Sequence, residues 1–99
     1  MALKIKKKEV SQTEVQREIQ MRINVALWAY AYEIEDDPMV DDGKFDKVCG
    51  EIDVDFPTGH KVMDKWFKDN FDPYTGQWIH KHPDIAGIQS IYNRLKARK

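Results

Sequence analysis

Cysteine occurs once in this chain, as Cys49. That count excludes an intramolecular disulfide and a zinc site built from the cysteines of one chain. Glycine occurs five times and never in a G-x-G spacing, so a phosphate-cradling glycine loop is absent. Serine appears only as Ser11 and Ser90, and the first reads better as a helix cap than as a nucleophile. Nothing in the chain assembles a nucleophile, a base and an orienting group, so catalysis is not expected. No apolar run approaches the roughly 20 residues that span a bilayer. The opening MALKIKKKEV is basic but has neither a long apolar stretch nor a small-residue cleavage site, so it does not read as a secretory leader. The expectation is a soluble cytoplasmic protein with no membrane partner.

What is present is one domain's worth of chain. It has 99 residues, 41% of them hydrophobic and 33% charged, a globular balance rather than a disordered one. A chain of this size buries only about two-thirds of the surface its unfolded form exposes, so it builds one modest core. The net charge of −1 hides a division along the sequence. Glu33 to Asp55 holds ten acids and two lysines, a net of −8, and the remainder holds seven acids and fourteen bases, a net of +7. Such a division suits self-association or a basic partner better than a nucleic-acid groove, and nucleic acid is not an expected ligand. A solvated acidic face is the plain alternative.

The periodicity predicts an all-α domain of about four helices, over residues 11–99, preceded by a basic arm over residues 1–10. Ser11 and Glu14 have capping-box spacing, with Thr13 as a competing cap. Val15, Ile19, Ile23, Leu27, Tyr30 and Ile34 make one helical stripe, so a long first helix runs from about residue 12 to about residue 35, ahead of Pro38. Asp41 or Asp42 caps a short second helix that carries Phe45, Val48, Cys49 and Ile52 and forms a hairpin with the first. Thr58 is the expected cap of a third helix, whose apolar face is Val62, Met63, Trp66 and Phe67. Residues 72–76 read as a loop that continues through Trp78, His80 and His82. Pro83 suits the first position of a last helix bearing Ile85, Ile88, Ile91, Tyr92 and Leu95. Strand alternation is confined to Lys4–Lys6 and Asp53–Phe56.

Of the candidate chemistries, metal binding is the weaker. His80, His82 and Asp84 stand close in sequence, but two imidazoles without an obvious third ligand make a poor zinc site. The aromatics say more. Trp28 and Tyr32 are four residues apart and share a face of the first helix away from the core stripe, which gives either a second buried side or a platform for a planar ring flanked by acids.

Residues 28–48, WAYAYEIEDDPMVDDGKFDKV, combine this aromatic pair with an acidic D-x-P turn and a D-x-x-[YF]-D spacing. In these features, and over about residues 15–52, the chain resembles the N-terminal domain of bacterial NAD-dependent DNA ligases, a small helical unit that binds nicotinamide mononucleotide. The resemblance implies that Tyr32 stacks on the nicotinamide ring. It implies that Asp42 and Asp46 direct carboxylates at the mononucleotide, with Phe45 where the ligases have tyrosine and Trp28 on the same surface. Glu33 stands where the ligases have histidine. The K-x-D-G motif of nucleotidyl transfer is absent, so ligase chemistry is not implied. The second half looks like that of small stand-alone ligase-related proteins of bacteriophages, which implies an accessory protein in the cytoplasm of a bacterial host.

Two functional expectations follow. One is a non-catalytic module that binds, and sequesters, a nicotinamide- or ADP-ribose-type nucleotide at Trp28, Tyr32, Asp42, Phe45 and Asp46, with no resident cofactor and with a second subunit completing the site. The other is a module that binds a host protein through the acidic segment and exposed tryptophans, Trp28, Trp66 or Trp78.

Overall fold

The computed structural model describes residues 11–98. The basic arm expected over residues 1–10 lies outside the described residues. In chain order the elements are α1 (Gln12–Glu33), α2 (Asp42–Glu51), α3 (Lys61–Asn70), a 3-10 helix (Gln77–Lys81) and α4 (Ile85–Ala97). No strand occurs among the described residues, and the architecture is all-α, with α1 as the spine.

The start of α1 is set by the expected capping box. Glu14 N–H donates to Ser11 Oγ at 3.0 Å, and Ser11 N–H donates to Glu14 Oε1 at 3.2 Å. The helix ends at Glu33 rather than near residue 35, and not because of Pro38. Asp36 takes a left-handed conformation (φ 54°), and Asp37 N–H folds back onto the Ala31 carbonyl at 2.8 Å. Aspartate tolerates that region better than most residues. Ile34, expected to continue the core stripe, therefore lies past the packed end and is 40% exposed.

The burial of α1 is broader than one stripe. Val25, Ala26, Leu27, Ala29, Tyr30 and Ala31 are all buried, so this stretch of the helix is covered on most sides, leaving Trp28 half-buried. Its alanines permit that, because small side chains let α2, the 3-10 helix and α4 approach the same turns. Val15, Ile19 and Ile23 are only partly covered. Tyr30 meets Tyr92 of α4 edge-on, with ring centroids 5.5 Å apart.

α3 joins the core through large side chains. Phe67 is fully buried among Trp66, Phe71, Trp78 and His82. Burying a phenylalanine in this way contributes about 1.5–3 kcal/mol. Val62, expected on the same apolar face, is 64% exposed. The cap of α3 is His60, whose Nδ1 accepts from Met63 N–H at 3.3 Å, and not Thr58. Thr58 is occupied otherwise: its N–H and hydroxyl both donate to Asp64, at 3.0 and 2.6 Å.

The segment between α2 and α3 is fastened by a buried charge network that centres on Arg22. The guanidinium donates to Glu18 at 2.9 Å, to Asp64 at 2.8 Å, and to the carbonyls of Asp53 and Phe56 at 2.8 and 3.3 Å. It also lies over the Phe67 ring, 5.1 Å from the centroid. Glu18 completes the loop by accepting Asp53 N–H at 3.0 Å. Arg22 and Glu18 are both 5% exposed, so these contacts offset their desolvation.

The stretch expected to be loop through Trp78 to His82 is instead largely the 3-10 helix. Ile79 is fully buried, and Trp78 is buried with its indole N–H donating to the Thr75 carbonyl at 2.6 Å. α4 is capped by Asp84, which accepts Gly87 N–H at 3.2 Å, while Pro83 precedes the cap rather than opening the helix. A Cβ at Gly87 would collide with the capping Asp84 carboxylate, so glycine leaves the cap in place.

Candidate functional site

Four pieces of chain meet around a cleft of about 210 Å3: the last turns of α1, the Pro38–Val40 turn, the first turns of α2, and the Tyr74–Gly76 loop. The first junction is the reversal after Glu33, where Asp36 is left-handed and Asp37 N–H returns to the Ala31 carbonyl. The second follows from Asp41, whose carboxylate accepts Lys44 N–H at 2.8 Å and starts α2 immediately. Asp42 is thus the first residue of α2 rather than its cap. The third depends on Gly76, because a Cβ there would lie 3.3 Å from Ala29 Cβ and 3.6 Å from the Phe45 ring.

All five residues singled out in the sequence line this cleft: Trp28 and Tyr32 from α1, and Asp42, Phe45 and Asp46 from α2. Trp28 and Phe45 are half-buried and form the apolar base with Ala29 and Met39. The Tyr32 ring is 56% exposed at the edge. Glu33 also lines the cleft, with Gln77 Nε2 donating to it at 3.2 Å and His80 Nε2 3.8 Å away. Tyr74, which the sequence reading passed over inside a run of turn formers, is a second ring on the rim and is 91% exposed.

The acidic middle of the chain is not one patch. Tyr30 donates its hydroxyl to Glu35 at 2.5 Å, and Tyr92 donates to Asp37 at 2.6 Å. Asp37 also pairs with Lys96 at 2.7 Å, so this turn is tied to α4. The hydrogen bond to Asp37, together with burial and the surrounding acids, pushes the Tyr92 hydroxyl up to about 12. Glu51 pairs with Lys47, and Asp55 pairs with Lys68. Asp42 and Asp46, by contrast, make no hydrogen bond or ion pair with any other described residue, and both are exposed at the cleft. Burial, and secondarily the charge of Asp46, pushes the Cys49 thiol behind this wall up to about 12, so it offers no nucleophile.

A second cleft, of about 280 Å3, lies between α1, α3 and α4. Ile19, Ile23, Met63, Phe67, Ile88 and Ile91 make it apolar, with His60, His82 and Asp84 at its margin. Burial holds the His82 imidazole below its ordinary value of 6.5, partly opposed by Asp84. No group of three or more His, Cys, Asp or Glu among the described residues is arranged to hold a metal ion. His82 faces Trp66 at 5.1 Å between ring centroids, while His80 is exposed. The tryptophans expected to be exposed are not: Trp78 is buried, and Trp28 and Trp66 are half-buried. No helix of the described chain is long and apolar enough to cross a membrane. Comparison with protein-family models, with curated proteins and with solved structures finds no match to this chain.

Proposed function

We propose that the protein is a non-catalytic binding module that holds a nicotinamide-type nucleoside or nucleotide in the cleft at the end of α1. In this reading it acts as an accessory protein of a bacteriophage and sequesters that ligand in the host. The observation that carries it is the convergence of Trp28, Tyr32, Asp42, Phe45 and Asp46, from two helices, on one cleft. Tyr32 stacks on the ligand ring over a base made by Trp28 and Phe45. Asp42 and Asp46, free of other hydrogen-bonding partners among the described residues, accept hydrogen bonds from sugar hydroxyls.

Drug-sized ligands fill pockets of roughly 300–1,000 Å3. At about 210 Å3 the cleft takes a ring and its sugar and leaves the remainder of a dinucleotide outside. Isothermal titration calorimetry with nicotinamide riboside, nicotinamide mononucleotide, NAD and ADP-ribose tests the reading. Binding of at least one nicotinamide-bearing probe is expected, and Tyr32→Ala and Asp46→Asn are expected to abolish it with the fold intact. Absence of heat with all four at millimolar concentration overturns it.

A second reading has its own observation, the exposed acids Asp42 and Asp46 around the same cleft as the exposed Tyr74. That surface suits a basic host protein, with Tyr74 rather than a tryptophan as the aromatic anchor. Pull-down of a host protein that is lost on Tyr74→Ala, together with failure of the titrations, favours it.

A further inference from the structure

The cleft's lining is unbalanced in charge. Glu33, Asp42 and Asp46 contribute three carboxylates, and no lysine, arginine or histidine stands among the lining residues. Three carboxylates around one small cleft disfavour a phosphate and favour a positive charge. The uncharged part of the lining points the same way. Trp28, Tyr32, Phe45 and Tyr74 supply four aromatic rings, whose faces are negative and attract cations. One of them already carries a cation, since the Lys44 ammonium lies over the Trp28 ring, 5.8 Å from its centroid.

Asp42 and Asp46 add an electrostatic preference that Asp37 cannot. Asp37 is satisfied by Tyr92 and Lys96, whereas the two cleft aspartates form no ion pair with a described residue, the Lys44 ammonium lying instead over the Trp28 ring. They stand four residues apart on α2, hence on one face of it, with Phe45 between them in sequence. Tyr32 and Tyr74 line the same cleft as the two α2 carboxylates, so rings and carboxylates stand together around it.

We infer that the cleft selects a flat organic cation that carries no phosphate, with Tyr74 as an additional binding residue. This rests on reading the cleft as a nicotinamide-type site and narrows the ligand to the N-substituted, pyridinium form of the ring, as a simple N-alkyl cation or as its riboside. The neutral dihydro ring and phosphate-bearing forms are discriminated against.

The test is a calorimetric series on the full chain with 1-methylnicotinamide, nicotinamide, nicotinamide riboside and nicotinamide mononucleotide. The first two differ in ring charge, and the last two differ by one phosphate. Expected is a preference of about tenfold for each cation over its neutral or phosphorylated counterpart. That preference should shrink in high salt and in Asp42→Asn/Asp46→Asn, and Tyr74→Ala should weaken cation binding severalfold. Equal binding of nicotinamide and 1-methylnicotinamide overturns the inference while leaving the ring site in place. Tighter binding of the mononucleotide than the riboside, reversed by Lys44→Met, also overturns it by making Lys44 a phosphate partner. No binding of any member overturns both the inference and the reading beneath it. A severalfold loss in Tyr74→Ala that is equal for the neutral and cationic rings assigns Tyr74 to stacking alone and contradicts its part in charge selection.

Discussion

Arg22 is the residue whose loss the fold should feel most. It is the shared partner of Glu18, Asp64 and two carbonyls of the segment before α3. Removing it leaves buried carboxylates without a counter-charge, so Arg22→Met should cost about 3–5 kcal/mol in urea unfolding. A loss under about 1 kcal/mol would mean that water replaces the guanidinium. The same network sets a pH dependence. Asp64 is pushed up by burial, but hydrogen bonds from Thr58 and Arg22 outweigh this and hold it below its ordinary 3.8. His82 is likewise held below 6.5, by burial. Both groups bind protons less readily folded than unfolded, so stability is full above the unfolded value and lost as pH falls through the folded one. Thermal melting should therefore decline first as pH drops below 6.5, and further as it drops below 3.8. His82→Gln should flatten the upper part of that decline; an unchanged profile would remove His82 as its cause. At this scale the i, i+4 spacing of Trp28 and Tyr32 showed the aromatic edge of the cleft, whereas Asp42, Phe45 and Asp46 were picked out as site residues only by the resemblance to the ligase domain. The sequence hid Arg22, since a charged residue on the polar side of a helix looks solvated until chain far away in sequence folds over it. The i, i+4 spacing of Glu18 and Arg22 was the available signal.

Among the elements, α1 departs most from its pattern. The stripe from Val15 to Ile34 predicted one buried face, with Trp28 and Tyr32 as a second buried side or a platform, yet from Val25 to Ala31 every residue but the half-buried Trp28 is buried. Ala26, Ala29 and Ala31 look neutral in a periodicity argument, and only the presence of α2, the 3-10 helix and α4 reveals them as contact surface. Ala29→Leu should therefore destabilise by about 1–3 kcal/mol through overpacking, and it should also narrow the cleft, whose base Ala29 helps form. Unchanged stability would show that the neighbours can move aside. The 3-10 helix was illegible for a related reason. Five residues are too few to show a period, and the flanking turn formers and histidines favoured a loop reading. Caps were easier to see. Ser11 and Asp41 act at their helix starts as expected, whereas His60 caps in place of Thr58 and the last helix starts after Asp84 rather than at Pro83. Gly87→Ala should push Asp84 off its cap and cost about 1 kcal/mol, read by denaturant melting.

For the molecule as a whole, the division of charge is the feature a second copy can exploit. The −8 segment and the +7 remainder of the sequence are complementary between two chains. We propose on that ground that the protein self-associates at low salt and separates as salt rises, since exposed charges are screened beyond about 8–10 Å near physiological ionic strength. Light scattering across salt concentrations checks it, and a monomer at high protein concentration and low salt contradicts it. The cleft at the end of α1 is where the functional reading stands or falls, and chemical-shift mapping with 1-methylnicotinamide reports on it residue by residue. Backbone amide shifts should concentrate at Tyr32, Asp42, Asp46 and Gly76, accompanied by a shift of the Trp28 indole. Shifts gathered instead at Met63, Ile88 and Ile91 in the apolar cleft, or none at millimolar ligand, would contradict the assignment.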